Sequence, residues 1–63
     1  MSKSLGQMCL EFRAKYGLSQ NAMAKHCGVH TLTIYNLEHG KSLRKTTELR
    51  IAMAMKREVN ENE

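Results

Sequence analysis

Thr31, Leu32, Tyr35 and Asn36 bring a hydroxyl, an aliphatic branch, a phenol and a carboxamide into one six-residue stretch. An Asn carboxamide donates and accepts at once and so pairs with adenine in bidentate fashion. A Thr hydroxyl bonds either class of base, and Leu or the Thr methyl packs against the thymine methyl. On one helix these groups would make a surface able to read a major groove, with an A·T-containing half-site. Just beyond them, His39, Lys41, Ser42, Arg44 and Lys45 are of the types that grip phosphate oxygens. Enzyme chemistry has no counterpart in the sequence, which shows no paired carboxylates at a recognisable spacing, no glycine-rich phosphate loop and no Ser/His/Asp set. His26, Cys27 and His30 invite a metal reading. Gly28 interrupts any helix that would put all three on one face, and no second Cys or His pair stands at zinc-finger spacing, so neither metal nor cofactor is expected. Cys9 and Cys27 are too few for a disulfide framework and read as small buried apolar residues. The three histidines read as surface or cap residues.

The charge of the chain suits a polyanionic partner. Residues 1–57 carry ten basic and three acidic side chains, a formal charge of +7, while Glu58, Glu61 and Glu63 make a short acidic tail over 58–63. Sixty-three residues hold one small core and exclude a second domain, so 1–57 reads as the single folded unit. No apolar run approaches a membrane span and no signal-peptide pattern opens the chain, which leads us to expect a cytoplasmic protein without membrane contact.

Helices must position these residues. Leu5, Met8, Cys9, Phe12 and Tyr16 recur at helical spacing, opened by Ser4 and Gln7 in capping-box register and closed by Gly17. Ser19 caps a second, short helix whose apolar stripe is Met23, Ala24 and Cys27, with Leu18 stapled onto Met23 and Gly28 at its end. A third begins at His30 or Thr31, buries Ile34 and Leu37, and stops at Gly40. After a loop over 41–45, Thr46 or Thr47 would cap a fourth helix carrying Ile51, Ala52, Ala54 and Met55. Steps of about 100° per residue turn Leu32, Tyr35, Asn36 and His39 away from a core-facing Ile34.

Two short helices joined across Gly28 can cross steeply if that residue takes positive φ, with Ala24 small enough for close packing and Val29 filling the angle. The stretch Leu18 to Gly40, LSQNAMAKHCGVHTLTIYNLEHG, resembles the phage repressor and Cro-type helix-turn-helix pattern, with Gln20, Ala24, Gly28, Val29, Ile34, Leu37, Glu38 and Gly40 on motif positions. The likeness extends weakly over Leu5 to Met55. It implies an all-α bundle of four helices, or five as in larger relatives, whose third helix reads double-stranded operator DNA. It further implies a backbone clamp from Gln20 at the start of helix 2, where the helix dipole favours an anion, together with the residues after helix 3. An Arg in helix 1 commonly pairs with the Glu at the end of helix 3 in this family, which points to Arg13 and Glu38.

The sequence also departs from that pattern. His30 stands where Ser or Thr usually caps helix 3, and His39 replaces a common Asn or Asp. In helix 4, Glu48 occupies a core Leu position while Leu49 and Met53 fall outside the Ile51 and Met55 stripe, so either the register slips by one or the helix has a second apolar face. Leu49 and Met53, spaced i, i+4, would supply the contact of a homodimer on a pseudo-palindromic operator. The rival reading is a protein-interaction module of the same fold, an antirepressor for example, gripping its partner through Leu10, Leu49 and Met53.

Overall fold

Two serines start the first two helices by the same chemistry. Ser4 Oγ accepts from the Gln7 amide at 3.1 Å and Ser19 Oγ from the Ala22 amide at 3.0 Å, each satisfying a donor that the helix start would leave orphaned. In the computed structural model, which describes residues 3–59, they open α1 (Leu5–Tyr16) and α2 (Gln20–Cys27); α3 (Thr31–Glu38) and α4 (Lys45–Ala54) follow. The described residues contain no strand, and the fold is the all-α, four-helix arrangement. None of these helices is long and apolar enough to cross a membrane. The expected acidic tail lies outside the described residues from position 60 onward.

α3 starts at Thr31, one of its two expected places, whereas the start of α4 differs from expectation. His30 occupies the N-cap of α3 with no side-chain cap bond. The N-cap of α4 is Arg44, again without one, so Thr46 and Thr47 lie inside the first turn rather than before it, and Lys45 belongs to the helix rather than to the loop. Glu48, a first-turn acid, supplies negative charge at the positive end of the α4 dipole in place of a cap.

The turn between α2 and α3 rests on Gly28, whose φ of 72° is a left-handed conformation that any Cβ would strain. The Val29 amide reaches back to the Ala24 carbonyl at 3.0 Å, closing α2 and redirecting the chain into α3. All four helices contribute to the core: Cys9 from α1, Met23, Ala24 and Cys27 from α2, Ile34 and Leu37 from α3, Ile51 and Ala54 from α4. Met23, Ile34 and Ile51 are wholly excluded from solvent, each worth about 1.5–3 kcal/mol of burial. Met8, expected in the α1 stripe, is instead exposed, and Gly6, two residues earlier on the opposite side of the helix, takes the close-packed place. A Cβ on Gly6 would run into the Leu37 carbonyl oxygen, so α1 approaches the end of α3 backbone to backbone.

The structure resolves the ambiguity in α4. Ile51 and Ala54 are buried while Leu49 and Met53 are 61% and 59% exposed, so the helix keeps its register and carries a second, outward apolar face.

His26 corrects the surface reading of the histidines. It is buried, its ring stacks on Phe12, and its Nε2 lies 2.7 Å from the Ala54 carbonyl. A carbonyl only accepts, so Nε2 carries the proton and gives the carbonyl at the end of α4 a second donor beside the Arg57 amide, which reaches it at 3.1 Å. Arg57 returns the link by donating to the His26 carbonyl at 2.8 Å.

Candidate nucleic-acid interface

The outward side of α3 follows from the burial of Ile34 and Leu37. Leu32 is 65% exposed, Thr31 and Tyr35 are exposed, and Asn36 is half-buried. The Thr31 hydroxyl donates to Asn21 Oδ1 at 2.9 Å, tying the first turn of α3 to the first turn of α2. Asn21 is a residue that sequence reasoning passed over. Its neighbour Gln20 matched a motif, whereas Asn21 has meaning only once the crossing of α2 and α3 is known.

Tyr35 and His39 stack with ring centroids 3.9 Å apart, and His39 Nδ1 donates to the Tyr35 carbonyl at 2.8 Å. That bond fixes the tautomer: Nδ1 holds the proton, and neutral His39 presents only a lone pair at Nε2. A phosphate grip from this ring requires a second proton.

After α3 the chain runs through His39, Lys41, Ser42 and Arg44, all exposed, into the exposed Lys45 at the start of α4. Leu43 packs against the core in the middle of this run and pins the loop between its polar neighbours. The described residues contain two ion pairs, Lys3 with Glu11 and Arg13 with Glu38. Neither draws on Lys41, Arg44 or Lys45, so the positive charge beside α3 is not spent internally.

Beneath the loop lies a polar centre. Arg13 Nη1 donates to Glu38 Oε1 at 2.6 Å and Arg13 Nε to the Leu18 carbonyl at 3.1 Å. Gln20 Nε2 donates to the same Glu38 oxygen at 3.0 Å, and the Cys9 thiol to Oε2 at 3.4 Å. The Glu38 side chain is only 4% exposed. Burial alone would raise its pKa, but hydrogen bonds from Gln20, Arg13 and Cys9, with the Arg13 charge, outweigh that and hold the carboxyl below its usual range. The Cys9 thiol moves the other way, pushed up to about 12 by burial, by its bond to Glu38 and by the charge there. Burial likewise pushes the Cys27 thiol up to about 11. Both cysteines are therefore protonated in the folded protein near neutrality, poor nucleophiles and poor metal ligands. Cys9 was readable only as an apolar residue, although its place four residues before Arg13 puts it on the same side of α1.

Gln20 consequently has two neighbourhoods. One amide proton goes inward to Glu38 while the second stays available, and the Gln20 and Asn21 backbone amides precede those satisfied by Ser19 at the α2 start.

Comparison with known proteins agrees with this architecture. The family model described as helix-turn-helix matches residues 10–61. A 31-residue stretch is 58% identical to an uncharacterised HTH-type transcriptional regulator of Archaeoglobus fulgidus, covering 49% of this chain and 44% of the relative, less than half its length. No solved structure matches the chain. With the family match spanning most of the sequence and α2 and α3 joined across Gly28 within a four-helix fold, the chain belongs to the helix-turn-helix DNA-binding family of the phage repressor and Cro type.

Proposed function

We propose that this protein is a sequence-specific double-stranded DNA-binding transcriptional regulator of the repressor or Cro kind, acting in the cytoplasm with α3 in the major groove of an operator. The observation that carries the reading is the pairing of an outward face, Thr31, Leu32, Tyr35 and Asn36, with adjacent basic residues that no acidic side chain among the described residues neutralises. Thr31, Leu32, Tyr35 and Asn36 meet base edges. Gln20, the α2 amides, Lys41, Ser42, Arg44 and Lys45 hold the phosphates on either side, joined by His39 when its ring is charged. Leu49 and Met53 offer the contact for a second copy on a two-fold operator, whose half-sites would lie about one helical turn, roughly 34 Å, apart.

Fluorescence anisotropy on selected and random duplexes across a salt series tests this. If Lys41, Arg44 and Lys45 each neutralise one phosphate, log K against log salt has a slope of roughly −2.7 for one copy and about −5 for two. The exposed Leu10, Leu49 and Met53 favour the rival reading, a protein-interaction module. That reading requires no DNA affinity, and a flat salt response with no preference for any duplex would establish it over ours.

A further inference from the structure

A Thr hydroxyl has one proton and two lone pairs, and is ambivalent toward bases because it can turn either to the groove. In this protein the proton has a fixed destination: Thr31 donates it to Asn21 Oδ1 at 2.9 Å, across the crossing of α2 and α3. What remains at Thr31 is acceptor capacity alone. Both residues are exposed, so the lone pairs are open to a ligand. Gln20, the other carboxamide at the start of α2, is turned toward Glu38, and Asn21 is the side chain that serves Thr31.

We infer that Asn21 is a specificity-determining positioning residue: by taking the Thr31 proton it makes Thr31 an obligate acceptor, which selects a base carrying an exocyclic amino group. In the major groove those groups are the N6 amino of adenine and the N4 amino of cytosine. Guanine and thymine present acceptors there, at N7 and O6 and at O4, and an acceptor opposite an acceptor is repelled. The base under Thr31 is therefore A or C and not G or T. The inference rests on α3 lying in the major groove, as proposed above, and adds to it the polarity of one contact and a residue outside the recognition helix that sets it. Asn21 touches no base in this scheme. Its own two amide protons stay free for the neighbouring backbone phosphate.

The test is selection of bound duplexes from a random library with the intact protein, run in parallel for wild type, Asn21→Ala and Thr31→Val. Wild type is expected to enrich a site with A or C at one position. Asn21→Ala releases the hydroxyl proton, and that position should become degenerate while the others keep their preference; Thr31→Val should lose the same position. On the wild-type site, purine in place of adenine, or a cytosine analogue lacking the N4 amino group, should weaken binding about three- to tenfold, the value of one hydrogen bond. 7-Deazaadenine, which removes only an acceptor, should bind as adenine does. Base preferences of Asn21→Ala identical to wild type would overturn the inference and leave groove reading intact. G or T at the Thr31-dependent position would overturn it too, since the hydroxyl would then be donating to the base. Failure of wild type to enrich any sequence would refute the groove reading, and this inference with it.

Discussion

Removing Arg13 should nearly unfold the protein, whereas removing Arg13 and Glu38 together should not. Glu38 is 4% exposed and Arg13 22% exposed at the side chain, and the bond between them is 2.6 Å. Breaking a buried pair from one side costs about 3–5 kcal/mol because the remaining charge is left without its partner. Water reaches Glu38 past the partly exposed Arg13, which places the loss near the lower end, about 3 kcal/mol, with about 1 kcal/mol more for the Leu18 carbonyl that Arg13 Nε satisfies. A domain of this size has only about 3–9 kcal/mol in all. Glu38→Leu is milder, about 1–2 kcal/mol, because Arg13 can turn to solvent and only Gln20 and Cys9 lose an acceptor. In the double variant Arg13→Met/Glu38→Leu no buried charge remains, and a coupling of about 3 kcal/mol is expected, which leaves it about 2–3 kcal/mol below wild type against about 4 kcal/mol for Arg13→Met alone. Urea unfolding followed by circular dichroism reads this directly, with a slope of about 1 kcal/mol/M turning each loss into a comparable shift of midpoint in M. Effects that add to within about 0.5 kcal/mol would refute the reasoning, since an uncoupled pair cannot be what keeps the Glu38 charge buried.

Gly6→Ala should destabilise by about 1–3 kcal/mol although Ala favours helix by about 1 kcal/mol, because the new methyl meets the Leu37 backbone and not a yielding side chain; a rise in urea midpoint would contradict the packing. Glu38, depressed in the fold, binds its proton more readily when unfolded, so its contribution is complete above the ordinary 4.5 and is lost as pH falls toward its lower folded value. Glu38→Gln should flatten that acid arm of stability against pH. The thiols act at the other end: the unfolded chain releases their protons from about 9 while the fold holds them to about 11 and 12, so stability declines as pH rises through that window. Cys9→Ala/Cys27→Ala should remove most of that decline, and an unchanged alkaline limb would discount the thiols. Asn36→Ala should cost about 1–3 kcal/mol on the selected duplex and little on random DNA, while Lys41→Ala weakens both alike; equal losses for Asn36→Ala would show that it does not read bases.

The readable part of this protein is the part fixed by local chemistry. Ser4 and Ser19 each need only an amide three residues on, and Gly28 needs only its own φ, so the ends of α1 and α2 follow from short stretches of sequence. The outward set on α3 follows from helical period once Ile34 is placed in the core. Starts of α3 and α4 were harder to read because His30 and Arg44 hold N-cap positions without making the bond that identifies a cap. Partners across elements were harder still. Asn21 to Thr31, Gln20 and Cys9 to Glu38, and His26 to Ala54 all depend on where helices cross, which no spacing within one helix encodes.

The position of Glu38 bears on more than stability. It is the last residue of α3, and its donors come from the middle of α1 and the start of α2. Apolar side chains at these places would hold the helices together about as strongly, because dispersion and burial tolerate small rotations. Hydrogen bonds to a buried carboxylate do not, since tilting α3 enough to lose one donor leaves a charge short of solvation at about 1–3 kcal/mol. The same tilt would carry Leu32, Tyr35 and Asn36 out of register with the phosphate grips, which hang from α2 and from the loop that begins just after Glu38. On this reasoning the polar centre penalises those orientations of the recognition helix that would misread DNA. The double variant that should regain stability in the cycle above should accordingly not regain discrimination. Its affinity for random duplex is expected to stay within about threefold of wild type while its preference for the selected site falls by about tenfold, a difference near 1.4 kcal/mol. Full recovery of both stability and site preference would show that Glu38 and its donors contribute cohesion alone.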